Sequence, residues 1–359
     1  MRFPAAILAL GLAVYFSATS LAVAQASLPA IPSSSAPQPA ATLPAFATAQ
    51  RIRVIVDNDF GGDPDGLFLL AHLLLSPSAD VRGIVASQHH ATGFYGHPGT
   101  PQHAFDNASA LLRIVAPALA PRLVLGATTG LADLKTPADS AGARLIVEEA
   151  LRDDTKTPLY VLCGGGLTNI ASAYLLDPRI APRLRLVWIG GPEHPGHAQP
   201  PPGAGKVEYN LSIDRFAAQV VFNVSAIPLW QVPRDAYRQA LVSTTELSAR
   251  IDARAPLGAF LLGSLDDLLQ RAHGSLGEAY VLGDNPLALL SALQSSWERD
   301  PSSSRYVDLP APTIADNGAY EPNPSGRTIR VYTTLDTRLL FEDLFAKIHR
   351  FDHPQAFAP

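Results

Sequence analysis

The sequence predicts an α/β fold, an open and mostly parallel sheet with helices on both faces. Three observations predict it. Short β-branched runs alternate with helical segments from residue 51 onward, and those runs are apolar throughout rather than alternately polar. The unusual stretches, rich in Gly, Asp and His, fall directly after the strands. Strands apolar on both sides belong to parallel sheets covered on both faces. In such sheets ligands bind outside the carboxyl ends of the strands.

The elements follow in order. RIRVIV (51–56) reads as a strand, LFLLAHLLL (67–75) as a buried helix and VRGIVAS (81–87) as a second strand. AFDNASALLRIVAP (104–117) reads as a helix, RLVLGA (122–127) as a strand and SAGARLIVEEAL (140–151) as an amphipathic helix. PLYVLC (158–163) is the next strand, LTNIASAYLL (167–176) a helix, RLRLVWIGG (183–191) a strand and DRFAAQVVFN (214–223) a helix. GRTIRVYTTLDTRLLFEDLFAKI (326–348) reads as a last strand and helix. Four chain-distant loops are thereby expected at one sheet edge, those of DNDFGGDPDG, QHHATGFYGHPGTPQH, CGGGLTN and GGPEHPGHAQPPPGAGKVEYN.

What precedes this pattern is of another kind. Arg2 stands before the apolar run AAILALGLAVYF, and Ala24 and Ala26 give the small-x-small spacing of a signal-peptidase site. Residues 1–26 therefore read as a removed export signal, with periplasmic or secreted localisation expected. An uncleaved anchor is the weaker reading, because the run is short for a bilayer span. Residues 27–50, Pro-, Ala- and Ser-rich without a charge, read as a tether, and 51–359 as one catalytic domain. A net charge of −5 with interspersed signs offers no basic stripe for nucleic acid, and no membrane contact is expected of the mature form. Cys163 is the only cysteine, so no intrachain disulfide framework exists.

The chemistry concentrates in VIVDNDFGGDPDG, where Asp57, Asp59, Asp63 and Asp65 fall within nine positions. Crowded like charges disfavour ionisation unless something positive meets them. The spacing is not an EF-hand: the twelfth position from Asp57 is Phe68, where that loop needs a bidentate glutamate, and a strand precedes it. Carboxylates without a neighbouring thiol, Lys or Arg suit a hard cation such as Ca²⁺ or Mg²⁺. The plainer reading is a solvated turn with helix-capping aspartates, but four acids exceed what capping requires. A haloacid-dehalogenase-like phosphatase is a minor alternative, with Asp57 and Asp59 as nucleophile and acid and Asp266 and Asp267 as Mg²⁺ ligands. Gly61 and the want of a well-placed lysine among the four present (135, 156, 206, 347) weigh against it.

GGGLTNIA (164–171) alone is only a tight strand-to-helix turn. With VEYNLSIDRFAA, WIGGPEH and GDNPLALL it becomes specific. The chain resembles the inosine–uridine-preferring nucleoside hydrolase family. VIVDNDFGGDPDG is similar to that family's opening motif in its longer form, Asp-Thr-Asp-Ile-Gly-Asn-Asp-Val-Asp-Asp. The other segments resemble its Gly-Leu-Thr-Asn, Met-Gly-Gly, Glu-Phe-Asn…Asp-x-x-Ala and His-Asp-Pro-Leu-Ala stretches. The likenesses run in order over residues 51–295.

The resemblance implies metal-dependent hydrolysis of a ribonucleoside to free base and ribose, with one Ca²⁺ and no organic cofactor. It implies that Asp59 is both ligand and general base, acting on water that attacks an oxocarbenium-like anomeric centre. Asp63, Asp65, Asp284 and a carbonyl near Gly164 are its implied metal contacts. Asp57, Gln88, Glu208, Asn210 and Asn285 are its implied substrate contacts. Two departures leave alternatives open. Gly66 follows Asp65 where the motif ends in adjacent aspartates, so Asp63 and Asp65 compete as second ligand. Asp284-Asn285 stands where His-Asp is usual, so a one-residue shift decides between them.

His89, His90, His97, His103, His194 and His197 are expected in loops of the same edge. They read as plain loop residues first, a lid touching the base second, and a Zn²⁺ site last. His72 reads as structural, and Trp188, Trp230 and Trp297 as packing residues. An exported nucleoside- or sugar-binding protein on the same scaffold, without turnover, is the opposing reading, and the sequence leaves homo-oligomer formation open.

Overall fold

In the computed structural model, which describes residues 49–90, 92–273, 277–293 and 303–357, the first apolar run forms β1 (Ile52–Asn58), buried at every position. Residues 1–48 of the expected signal and tether, and Trp297, lie outside the described residues. The burial of β1 follows from its place in the sheet. Its Val54 and Val56 enter one hydrophobic core and its Ile55 the other, because successive strand side chains point to opposite faces.

The chain alternates as the periodicity requires. After β1 come α1 (Asp65–Leu74), β2 (Ala79–Ala86), α2 (Pro101–Val115), β3 (Leu123–Leu125), α3 (Ala141–Ala150), β4 (Leu159–Cys163), α4 (Thr168–Leu176) and β5 (Leu184–Ile189). The short helices α5 (Tyr209–Ile213) and α6 (Arg215–Gln219) lead to β6 (Leu229–Val232) and α7 (Arg234–Tyr237). Then follow β7 (Leu241–Ser243), α8 (Thr244–Arg250), α9 (Pro256–Arg271), β8 (Ala279–Val281) and α10 (Pro286–Ser291). The last are β9 (Arg305–Pro310), β10 (Thr313–Ile314), β11 (Tyr320–Glu321), β12 (Thr328–Thr334) and α11 (Thr337–Asp352).

Eight strands form one sheet in the order β3-β2-β1-β4-β5-β6-β12-β9. Every neighbouring pair is parallel except β12 with β9, an antiparallel edge. The open, mostly parallel sheet is therefore as the sequence predicts. Apolar residues of α1, α2, α9, α10 and α11 cover one face, and those of α3, α4 and α6 the other. No helix among the described residues is long and apolar enough to cross a membrane.

Two boundaries differ from expectation for local reasons. Thr100 caps α2 by accepting the His103 N–H at 3.3 Å, with Pro101 at the first helical position. The helix thus starts three residues early, and His103 lies in its first turn rather than in a loop. The expected helix 214–223 splits into α6, capped by Asp214, and a π turn over Val220–Val224 closed by Ser225 N–H to Val220 O at 2.8 Å. Three elements had no strong sequence signal: β6, only four residues between Pro228 and Pro233; α9, interrupted by Gly258 and Gly263; and the half-polar edge strand β9.

Candidate active site

At the carboxyl edge of the sheet, residues from six connections line a cleft of about 130 Å³. The loop after β1 contributes Asp59, Asp63 and Asp65, the loop after β2 Phe94 and the turn after β4 Gly164, and the segment after β5 brings Glu208, Tyr209 and Asn210. Tyr237 comes from α7, and Val281, Gly283 and Asp284 come from the β8–α10 connection. No Lys or Arg is among these residues. A larger cavity of about 380 Å³ lies on the other side of the turn Phe60–Pro64, but it lacks the carboxylate cluster.

Each carboxylate is held by a different element. Asp63 accepts the Asp65 N–H at 3.1 Å and the Tyr280 hydroxyl, and Asp65 accepts the Asp284 N–H at 3.0 Å. Asp284 accepts the Asn58 amide at 2.8 Å. Asp59 is set apart, since no other side chain among the described residues donates to it. Gly165 packs beside it, where a Cβ would lie 3.2 Å from its carboxyl carbon. Burial, reinforced by the charges of Asp284 and Asp63, pushes Asp59 well above the usual carboxylate range. Burial likewise raises Asp63 and Asp65 and lifts Asp284 to about 7.

Glu208 and Asn210 flank the acids. Glu208, 1% exposed, caps α5: one oxygen accepts the N–H groups of Gly191 (2.8 Å) and Leu211 (3.1 Å), the other the Tyr237 hydroxyl (3.0 Å). Asn210 donates to the carbonyls of Gly164 (3.1 Å) and Ile189 (2.9 Å), tying the ends of β4 and β5 together. At the mouth, the Phe94 and Tyr209 rings meet edge to face at 6.1 Å. The loop carrying Phe94 is anchored to α9 by Arg271, which donates to the Phe94 and Tyr95 carbonyls (3.1 and 3.0 Å), and by His97 with Asp267 at 3.1 Å.

Three of the residues singled out in the sequence stand outside the cleft lining. Asp57, fully buried, accepts from Ser87 and from Asn169 (3.2 Å), and burial raises it to about 7. Gln88 is bonded in its satisfied amide orientation to the Thr128 carbonyl (3.0 Å) and the Gly130 N–H (2.9 Å). Asn285 heads α10, buried, with neither amide atom partnered among the described residues. Of the two neighbours it is Asp284 that faces the acids. Asp63 and Asp65 both do.

The histidines serve separate ends. His97 stacks on His103 at 4.3 Å, His90 meets Thr92 at 2.8 Å and His194 bonds Gln231 at 2.9 Å. His72 pairs with Asp343 at 2.7 Å in the core, Trp188 is fully buried and Trp230 packs against the sheet's core. Asp266 and Asp267 lie on α9, where Asp267 is engaged by His97 and Arg271, so the phosphatase reading loses its later ligands. Sequence reasoning passed over Asn58, Tyr237 and Tyr280, whose partners lie far along the chain. Asn58, between two aspartates, carried a visible signal.

The donors suit a hard cation in chemistry: carboxylates of Asp59, Asp63, Asp65 and Asp284 with the Gly164 carbonyl nearby. Gly164 permits this closeness, because a Cβ there would collide with Asn58 and lie 2.6 Å from Asp284. As they stand, no three His, Cys, Asp or Glu side chains among the described residues form a group ready to hold a metal ion.

Comparison with known proteins agrees with this arrangement. Nucleoside hydrolases of the inosine-uridine preferring kind from Leishmania major and Crithidia fasciculata are 33% and 34% identical to the chain over 156 and 140 residues. Those stretches cover 41% and 38% of this chain, and 46% and 41% of the relatives, under half the length of either. Among solved structures, a plant nucleoside hydrolase and a purine-preferring ribonucleoside hydrolase from Gardnerella vaginalis share the fold. Each superposes with a TM-score of 0.63 at 17% identity, over 83% and 84% of this chain and 99% of theirs. The model of one family matches residues 54–342, which hold every cleft residue named above, and on that match the chain belongs to the inosine-uridine preferring nucleoside hydrolases.

Proposed function

We propose that this protein hydrolyses the N-glycosidic bond of a ribonucleoside, or a closely related N-riboside, to free base and ribose. The observation that carries the reading is the meeting of Asp59 with Asp63, Asp65, Asp284, Glu208 and Asn210 in one cleft. Asp59 suits the general base because, among the described residues, its carboxylate alone of the cleft acids accepts no hydrogen bond from another residue. It takes a proton from the water whose oxygen bonds to the anomeric carbon, as the carbon–nitrogen bond breaks and its electron pair leaves with the base.

Asp59, Asp63, Asp65, Asp284 and the Gly164 carbonyl are the residues that would hold one Ca²⁺. When bound, such an ion offsets the carboxylate charges and makes water easier to deprotonate. Glu208 and Asn210 sit where they can grip sugar hydroxyls, each fixed by backbone partners and so pre-oriented. Phe94 and Tyr209 present apolar faces at the mouth, where the departing base would pass. The leader reading places this activity outside the cytoplasm, periplasmic or secreted, in nucleoside salvage.

The test is release of free base from a panel of purine and pyrimidine ribonucleosides, followed by chromatography. The protein is first stripped with chelator and then given Ca²⁺. Calcium-dependent release supports the reading and reports the base preference. Binding of ribonucleoside by calorimetry with no release from any would replace it with a nucleoside-binding protein.

A further inference from the structure

Two residues that depart from the motif quoted above meet in space. Aligned with Asp-Thr-Asp-Ile-Gly-Asn-Asp-Val-Asp-Asp, this chain has Asn58 at the second position and Gly66 at the tenth. Asn58 ends β1 and is 1% exposed. Its side chain passes between two glycines: a Cβ on Gly66 would lie 2.7 Å from Asn58 Oδ1 and 3.1 Å from Nδ2, and one on Gly164 would strike Nδ2. Beyond them Nδ2 donates to Asp284 Oδ2 at 2.8 Å, while Oδ1 has no partner among the described residues. The amide is thus placed for its donor.

Gly66 has no backbone need for glycine. It is the second residue of α1, not in the left-handed region, so the obstacle to a side chain there is Asn58. Nδ2, the atom turned to Asp284, cannot ligate a cation and the amide brings no charge, whereas a carboxylate in its place would bring a ligating oxygen and a charge at that point.

We propose that Asn58 and Gly66 are a compensating pair that replaces a cation-binding carboxylate with an amide. Asn58 holds Asp284 through Oδ2, so a divalent cation competes with the amide for that oxygen. The cluster therefore stays folded without the ion and binds it weakly. This rests on the reading that the cation occupies the Asp59–Asp284 cluster.

The experiment is calorimetric titration of chelator-stripped protein with CaCl₂, with thermal melting beside it. Wild type is compared with Gly66→Asp, Asn58→Thr, the double variant and Asn58→Asp. Gly66→Asp alone should melt lower in chelator, since its Cβ meets Asn58, and adding Asn58→Thr should restore the melting temperature. The double variant should bind Ca²⁺ at least tenfold tighter than wild type. If it fails to fold, Asn58→Asp, which adds a carboxylate without a new heavy atom, should gain more in melting temperature from Ca²⁺ than wild type does. Tighter binding by the variants supports the proposal even where wild type binds none, an outcome that would instead remove the cation from the proposed function. Wild type binding Ca²⁺ as tightly as the variants would overturn the pair while leaving the cation reading intact. Failure of every protein to bind would overturn both.

Discussion

Replacing Glu208 separates its two roles, sugar contact and structural keystone. Its carboxylate accepts two backbone N–H groups and one tyrosine hydroxyl at 2.8, 3.1 and 3.0 Å while almost fully buried. Glu208→Ala leaves three donors without their acceptor at the wall of the cleft, where water replaces part of what is lost. A stranded buried donor costs about 1–3 kcal/mol, so the sum is roughly 3–6 kcal/mol after partial relaxation. Glu208→Gln keeps one oxygen for the two N–H groups, and its amide can donate to the Tyr237 oxygen once that hydroxyl turns. Its loss should be about 1 kcal/mol. Urea unfolding at neutral pH reads both, with base release measured on the same preparations. The alanine variant should be inactive and unstable; the glutamine variant should be stable and fail mainly through a raised KM. An alanine variant within about 1 kcal/mol of wild type would refute the donor count, and a glutamine variant as unstable as alanine would refute its isosteric rescue.

Three further outcomes follow from the same geometry. Asp59→Asn should abolish base release yet raise the melting temperature of the chelator-stripped protein, because it removes one of several buried like charges. Asp59's folded pKa is raised, so the folded protein holds the proton longer than the unfolded chain; the variant's advantage should therefore grow as pH rises above about 3.9, and a constant difference across pH would contradict it. Glu149, buried beside Arg53, Arg82 and Arg152, would be raised by burial, but those guanidinium groups overcome this and hold its carboxyl low. Glu149→Ala should cost about 3–5 kcal/mol at pH 7, and the gap to wild type should narrow as pH falls below about 4, where the lowered carboxylate finally protonates; acid titration of the unfolding midpoint checks it. Asn210→Ala loses both carbonyl contacts between the ends of β4 and β5, so stability should drop by roughly 1–3 kcal/mol in urea melts, with weaker substrate binding in kinetics.

The sequence carried the sheet because its central strands are long apolar runs, each punctuated by Gly, Asp or His. β1, β4 and β5 are legible for that reason. β6 and α9 were not, since two prolines crowd a four-residue strand and two glycines interrupt a sixteen-residue helix. The acids and the Glu208–Asn210 pair were legible because each is a local motif. Asn58 showed in the sequence only as a polar residue between two aspartates, because its meaning lies in Asp284, 226 residues away, and in a glycine that only the folded chain sets against it. Gln88 shows the reverse: a plausible amide by position, it is spent on the backbone around Thr128 and Gly130.

Why a chain should gather these acids at the floor of a sheet edge can now be stated physically. Hydrogen bonds from the Asp65 and Asp284 amides, Tyr280 and Asn58 satisfy the oxygens of Asp63, Asp65 and Asp284, but every one of these donors is neutral. Donors of that kind fix geometry without cancelling charge, so burial first, and the neighbouring carboxylates after it, raise the proton affinities of Asp59, Asp65 and Asp284. Other buried acids are treated differently: Glu149 and Glu193 face arginines, and Arg234 grips Glu193 at 2.7 and 2.6 Å. A chain able to place guanidinium groups against buried acids, and placing none against these, keeps the cleft's negative charge available to a ligand. Asn58 then reads as the least charge that holds the cluster together while leaving it unneutralised, which is why its removal, rather than that of any single aspartate, probes what the cluster is for.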